Sequence, residues 1–200
     1  MASELYVETL KGLTSGANAN KVIVPAGQTL DVAGSTSGVN EIKVAEHWAM
    51  TSNLVISSTA RTTITSNLSR LSTSGHGVIG AGMTESSGVF TFPSTGVWLV
   101  SYNPSYYADL DVRVIESHLQ MTTDGSNYSS KALNWSHITR NNANNTTSGA
   151  FVQVILDITD TSTHKVRFAI ELTNTPVTFM GSSSDPLART DFMFIRLGDT

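Results

Sequence analysis

The sequence predicts an all-β fold, an antiparallel two-sheet sandwich that follows an extended N-terminal segment. No part of the chain repeats its apolar residues with a helical period. Turn residues instead recur at short intervals between short apolar runs, which is the pattern of a sandwich or barrel. Ser and Thr are abundant, and they favour turns and strands over helix interiors. The chain has 200 residues, enough for one domain with an added arm.

Residues 1–44 differ from the rest of the chain. They contain two short strand-like pieces, 21–24 and 29–32, in a stretch rich in Gly, Ser, Ala and Asn. A segment this thin cannot form a core of its own. We therefore predict an arm or stem over 1–44 that attaches to another surface, and a head domain over 45–200. The residues expected to attach the arm are Leu5, Tyr6, Val7, Leu10, Val22, Ile23, Val24, Leu30 and Val32.

The head domain shows regular strand patterns. In the segment 165–172, apolar and polar residues alternate, as expected for a half-buried antiparallel strand. Asp124 and Gly125 form a strong hairpin signal between two such segments. The predicted strands are 44–50, 54–57, 62–68, 88–92, 97–103, 112–122, 132–139, 149–159, 165–172 and 191–197.

Two predicted strands, 97–103 and 191–197, are apolar on both faces. In the first, Val97 and Leu99 lie on the face opposite to Trp98. A sandwich strand has one core face and one outer face, so a second apolar face needs a cover. Another copy of the chain is the simplest cover, and the sequence leaves open which face it meets. The residues expected in the core or in the subunit interface are Phe90, Phe92, Val97, Trp98, Leu99, Val100, Tyr102, Phe192 and Phe194.

Composition argues against several classes of protein. The net charge is −4 and no basic run occurs, which disfavours a nucleic-acid binder. Cysteine is absent, so disulfides and thiolate metal sites are not expected. No secretory signal is visible, and no apolar run is long enough for a membrane span. We therefore expect a soluble protein, made in a cytoplasm, that contacts neither nucleic acid nor membrane.

No catalytic, cofactor or metal site is predicted from sequence motifs. The five histidines lack the spacing of a zinc site, and no Gly-x-Ser-x-Gly elbow occurs. We therefore expect a protein that is not an enzyme and that has no cofactor. Four aromatic residues could instead stack on sugar rings, because each offers an apolar face beside polar neighbours. Such aromatic residues more often belong to the core or to a subunit interface than to a glycan site. The four residues are Tyr106, Tyr107, Tyr128 and Trp135.

The stretch SSGVFTFPSTGVWLVSYN resembles the signature of the TNF-like jelly roll in its complement globular-head branch. That signature reads Gly-x-Phe-x-x-Pro-x-x-Gly-x-Tyr-x-x-Ser-Tyr. Trp98 stands where the family usually has the first Tyr, which leaves the fold prediction unchanged. The resemblance covers about residues 45–198. The matching positions are Gly88, Phe90, Pro93, Gly96, Trp98 and Tyr102.

The resemblance implies a trimeric jelly roll whose axis is lined by the double-faced strands. The arm is similar to N-terminal segments of phage structural proteins. Together they imply a bacteriophage virion protein, a trimeric capsid decoration or cement protein that clamps the capsid lattice through its arm. Its expected partners are itself and the major capsid protein, on the capsid surface, after synthesis in the host cytoplasm. The alternative is the receptor-binding head of a short tail or head fibre, which binds tail proteins and host surface glycan.

Overall fold

The computed structural model describes Gly27 and residues 42–72, 75–141, 144–183 and 187–200. The chain divides into two units, Met1–Glu41 and Ile42–Thr200, and the description below concerns the second. All the arm residues named above, from Leu5 to Val32, lie outside the described residues, so that prediction stays a prediction. Among the described residues, no helix is long and apolar enough to cross a membrane.

The described part of the chain contains fifteen strands and no helix, which confirms the all-β prediction. The strands are β1 (Ala45–Met50), β2 (Leu54–Ile56), β3 (Thr62–Thr63), β4 (Leu68–Leu71), β5 (Thr84–Ser86), β6 (Val89–Thr91), β7 (Gly96–Asn103), β8 (Ser105–Ala108), β9 (Val112–Thr122), β10 (Ser129–Ile138), β11 (Thr146–Gly149), β12 (Val152–Ile158), β13 (Lys165–Leu172), β14 (Val177–Phe179) and β15 (Asp191–Gly198).

The strands form three antiparallel sheets. The five-stranded sheet has the order β12-β7-β15-β1-β4. The six-stranded sheet has the order β10-β9-β13-β6-β5, with β3 paired to β13. A four-stranded sheet has the order β11-β8-β14-β2. Apart from the hairpins β5–β6 and β9–β10, neighbouring strands come from distant parts of the chain, as in a jelly roll and unlike in a meander.

An aromatic cluster joins the five-stranded and six-stranded sheets. The ring of Phe168 on β13 lies 4.5 Å from that of Phe192 on β15, and Phe90 on β6 lies 5.0 Å from Phe194. All four residues are buried. Phe192 and Phe194 occupy alternate positions of β15, so their side chains lie on the face of the strand that supplies the core. Truncating one of these rings to Ala should cost about 3–5 kcal/mol of stability.

The turns before β6 and β7 each contain a glycine that no other residue can replace. Gly96 has a φ of +139°, and a Cβ there would approach the backbone oxygen of Gly198 to 2.5 Å. Gly88 has a φ of +82°, and its Cβ would lie 2.0 Å from the backbone oxygen of Ile64. Both positions therefore require glycine. These contacts determine where β6 and β7 begin. They therefore also determine which aromatic residues of the two strands face the core.

The structure corrects several predicted strands. The predicted strand 62–68 is two strands, because Asn67 has a φ of +62° and β3 and β4 pair in different sheets. The predicted strands leave a gap between residues 139 and 149, but β11 begins in this gap and pairs with β8. Its side chains are Thr, Ser and Gly, so no apolar alternation marks it in the sequence.

Candidate functional site

A row of apolar side chains crosses the outer face of the five-stranded sheet. Ile155, Leu99, Ile195 and Ala45 stand side by side on β12, β7, β15 and β1. Ile79 extends the row through an isolated bridge to Ala45. Ile155 is 61 % exposed and Ile79 is also exposed, while the three residues between them are half-buried. We call these five residues the apolar row.

The apolar row is part of a larger exposed patch. Met193 lies two residues before Ile195 on β15, and Phe151 precedes β12 on the side of Ile155. The polar Gln153 lies between Phe151 and Ile155 and donates a hydrogen bond of 3.0 Å to Ser101 Oγ. The side chains of Phe151 and Met193 are exposed. An exposed apolar patch on a folded domain usually marks a protein contact. The geometry therefore fits burial against another protein surface.

Polar residues border the patch at one end of β1 and β15. His47 Nε2 lies 3.1 Å from Asp191 Oδ1. Asn103 Nδ2 donates a hydrogen bond of 3.0 Å to Asp191 Oδ2. An apolar centre with a polar rim is the usual anatomy of a protein interface.

The structure shows which face of β7 fills the core. Trp98 is fully buried, with its ring 5.0 Å from that of Phe92. Val97 and Leu99 lie on the opposite, outer face and are half-buried. The residues of the predicted core or interface set that are buried inside the described chain are Phe90, Phe92, Trp98, Val100, Tyr102, Phe192 and Phe194.

Some residues of the apolar row carry no signal in the sequence. The double-faced pattern of 191–197 did point to Ile195, because Met193 and Ile195 share its second face. Ile155 shares its face with Gln153 and Asp157, and this mixed polarity concealed it. Ile79 lies in a glycine-rich segment with no period, and only the bridge to Ala45 brings it to the sheet.

Tyr106 is not available to a glycan, so that part of the alternative prediction is wrong. Its ring is fully buried and lies 5.8 Å from the ring of Phe179. Its hydroxyl forms a hydrogen bond with Ser136 Oγ. Burial raises the pKa of Tyr106. Successive side chains of β8 point to opposite faces of the sheet. Tyr106 therefore faces the core, while Tyr107 faces away from it and is half-exposed.

The other aromatic candidates lie in different places. Trp135 on β10 is 61 % exposed, and its Nε1 donates a hydrogen bond of 3.2 Å to Glu116 Oε1. Tyr128 lies beneath the guanidinium of Arg167, 4.0 Å from the ring centre. Tyr107 belongs to a strand of the four-stranded sheet. The structure therefore does not combine the predicted aromatic residues into one surface.

Comparison with solved structures confirms the TNF-like jelly-roll fold. Eiger TNF from S. frugiperda matches with 16 % identity and a TM-score of 0.54, over 80 % of this chain and 96 % of that chain. Murine APRIL at pH 8.5 matches with 10 % identity and a TM-score of 0.51, over 77 % of this chain and 98 % of that chain. No protein-family model and no curated protein sequence matches the chain. At these identities the likeness establishes the fold alone.

Proposed function

We propose that the chain is a structural head protein that acts as a homotrimer, with its apolar row buried against two further copies. The observation that supports this most strongly is the apolar row itself, with Ile155 61 % exposed at its edge. The middle residues of the row are half-buried within one copy and leave an apolar surface for contact with the next. The polar pair of His47 and Asp191 borders this surface. The resemblance to trimeric jelly rolls supports the same arrangement.

The trimer is tested by placing a charge in the apolar row. Ile155→Asp should dissociate the assembly, because a carboxylate buried in an apolar interface is costly. Val55→Asp is the matched control, since Val55 is also exposed but belongs to β2 of the four-stranded sheet. Sedimentation velocity should show a lower mass for Ile155→Asp and an unchanged mass for Val55→Asp. Equal masses for both variants would contradict the proposal.

We propose further that residues 1–44 attach the trimer to the capsid lattice of a bacteriophage as a decoration protein. Three arms on one rigid body bind at a high effective concentration, so weak contacts add to a tight attachment. A protein that binds the assembled lattice and not free subunits stabilises the lattice by linkage. This role needs no cofactor and no catalytic group.

Copy number on purified particles distinguishes decoration from other virion roles. A decoration protein covers a lattice, so quantitative mass spectrometry should find hundreds of copies per particle. A few copies, or a few tens, would contradict decoration and favour a fibre.

The second candidate function is adhesion to host surface glycan as the head of a fibre. The exposed Trp135 favours it, since an exposed indole is a suitable stacking surface for a sugar ring. Glycan-array binding that is lost in Trp135→Ala would support adhesion. Tyr106→Ala is unsuitable for this test, because Tyr106 is a buried residue.

A further inference from the structure

Three metal-ligating side chains converge on the outer face of the six-stranded sheet. Glu116 and His118 lie two residues apart on β9 and therefore share a face. Glu171 on β13 stands directly opposite Glu116 in the strand register. One ligand atom from each of the three side chains lies within 4.8 Å of the other two. The cluster belongs to a different sheet from the apolar row.

His118 points its Nε2 at this cluster. The residue is 1 % exposed, and its Nδ1 lies 3.0 Å from Ser130 Oγ. Its Nε2 lies in ion-pair contact with Glu116, 3.0 Å from Oε2, but no well-aligned hydrogen bond to Nε2 occurs within the described part of the chain. When Nδ1–H donates to Ser130, the lone pair of Nε2 faces a carboxylate oxygen. A cation between these two atoms would contact both, and the Ser130 hydroxyl would hold the imidazole ring in the orientation that a ligating histidine needs.

The two carboxylates also favour a cation. Like charges that stand directly opposite on neighbouring strands repel each other. Arg61 offsets one of them, with Nη2 and Nε at 2.9 and 3.0 Å from Glu171 Oε2. Glu171 can therefore offer Oε1 without losing this pair. Glu116 accepts from Trp135 through Oε1, which leaves the Oε2 that faces His118 for an ion.

We propose that Glu116, His118 and Glu171 bind a divalent transition-metal ion, with Zn²⁺ as the best chemical match. One imidazole nitrogen and two carboxylate oxygens form a ligand set that Zn²⁺ accepts at about 2.0–2.2 Å, with water at the fourth position. Both Glu side chains are partly exposed, so small rotations bring their oxygens to these distances. The ion would join β9 to β13, and this site is independent of whether the chain forms trimers.

The direct test is calorimetric titration of the metal-free, full-length protein with Zn²⁺. We expect one ion per chain. Glu116→Gln and Glu171→Gln should each weaken binding by about tenfold or more, since even the loss of a hydrogen-bond partner behind a metal ligand has that effect. Asp157→Asn removes a carboxylate from β12, and His137→Asn removes an exposed histidine from β10. Both are matched controls and should leave the affinity unchanged.

Trp135 provides a second readout of the same site. Zn²⁺ at Glu116 should change the fluorescence of Trp135, whose indole hydrogen-bonds to that carboxylate. Trp135→Phe should lose the fluorescence change while still binding Zn²⁺ in the calorimeter. Absence of Zn²⁺ binding at a large excess over protein would overturn the proposal. Equal affinity in the Glu116→Gln/Glu171→Gln double variant, or Mg²⁺ binding as tight as Zn²⁺, would also overturn it.

Discussion

Tyr102 is a core residue whose ring and hydroxyl have opposite effects on stability. The ring stacks on Phe192, with centres 5.3 Å apart and planes 5° from parallel. The hydroxyl is buried and, among the described residues, has no hydrogen-bond partner. Burial raises the pKa of Tyr102 well above its usual value, so the group stays neutral.

Tyr102→Phe is therefore expected to raise the free energy of unfolding by about 1 kcal/mol, because it removes an unsatisfied hydroxyl and keeps the stack. Urea unfolding measures the difference, with Phe192→Leu as a control that removes the stack and lowers stability. A loss of more than about 1 kcal/mol in Tyr102→Phe would show that the hydroxyl has a partner.

Asp124 organises the turn between β9 and β10. Hydrogen bonds from the Asn127 side chain, from the backbone of Asn127 and Ser126, and from Thr122 Oγ1 hold the pKa of Asp124 far below its usual value. A folded pKa below the unfolded one means that the ionised group stabilises the fold above its unfolded pKa of about 3.9. This contribution is lost as the pH falls through the folded pKa.

Asp124→Asn should accordingly be less stable than the wild type at neutral pH, and the gap should narrow below about pH 3. Chemical unfolding of both proteins across this range measures the gap. A gap that stays constant with pH would contradict the role of the carboxylate charge.

At the scale of elements, Glu46 joins β1 to β4 and to the segment that precedes β5. Its side chain is fully buried, and its Oε2 accepts from Arg70 Nε at 2.6 Å. Its Oε1 accepts from the backbone N–H of Met83 at 2.5 Å. Arg70 also donates to the backbone oxygen of Met83. One buried carboxylate thus aligns three separate segments.

Glu46→Ala should destabilise the fold by about 1–3 kcal/mol, because it leaves the buried N–H of Met83 without its acceptor and removes the partner of Arg70. Thermal and urea unfolding measure this loss. Arg61→Ala is the control, since its pair with Glu171 is largely exposed and contributes at most about 1 kcal/mol. Similar losses in both variants would contradict the role of Glu46.

The elements that the sequence predicted best are those with clear alternation. The strands β9 and β13 have the predicted bounds, because apolar residues alternate along β13 and Asp124 marks the turn that ends the β9 pattern. The short strands β11 and β14, of four and three residues, pair with strands from distant parts of the chain. No local pattern can reveal such strands.

Residues of the candidate sites, too, are predictable only where a local sequence pattern marks them. Leu99 could be predicted to lie on an apolar face because β7 is apolar on both sides, but the sequence left open whether this face is the outer one. Glu116 and Glu171 are far apart in the sequence, and only the register of β9 with β13 places them beside His118. Sequence spacing between histidines therefore gave no sign of this cluster.

At the scale of the whole molecule, the head and the arm are proposed to have separate roles, assembly for the head and attachment for the arm. A protein that lacks residues 1–40 keeps every described strand, so it should fold and assemble as the full chain does. Because the arm is proposed to bind the capsid, this shortened protein should no longer bind particles. Co-sedimentation with particles that lack the protein tests both points. Retained binding would place the attachment in the head.

Burial of the apolar row between copies of this chain requires an assembly of three chains. Native mass spectrometry of the full-length wild type measures the mass of that assembly. A trimer gives a species of three times the chain mass of 21.4 kDa. A single species at the mass of one chain, at concentrations where the protein is folded, would contradict the trimer.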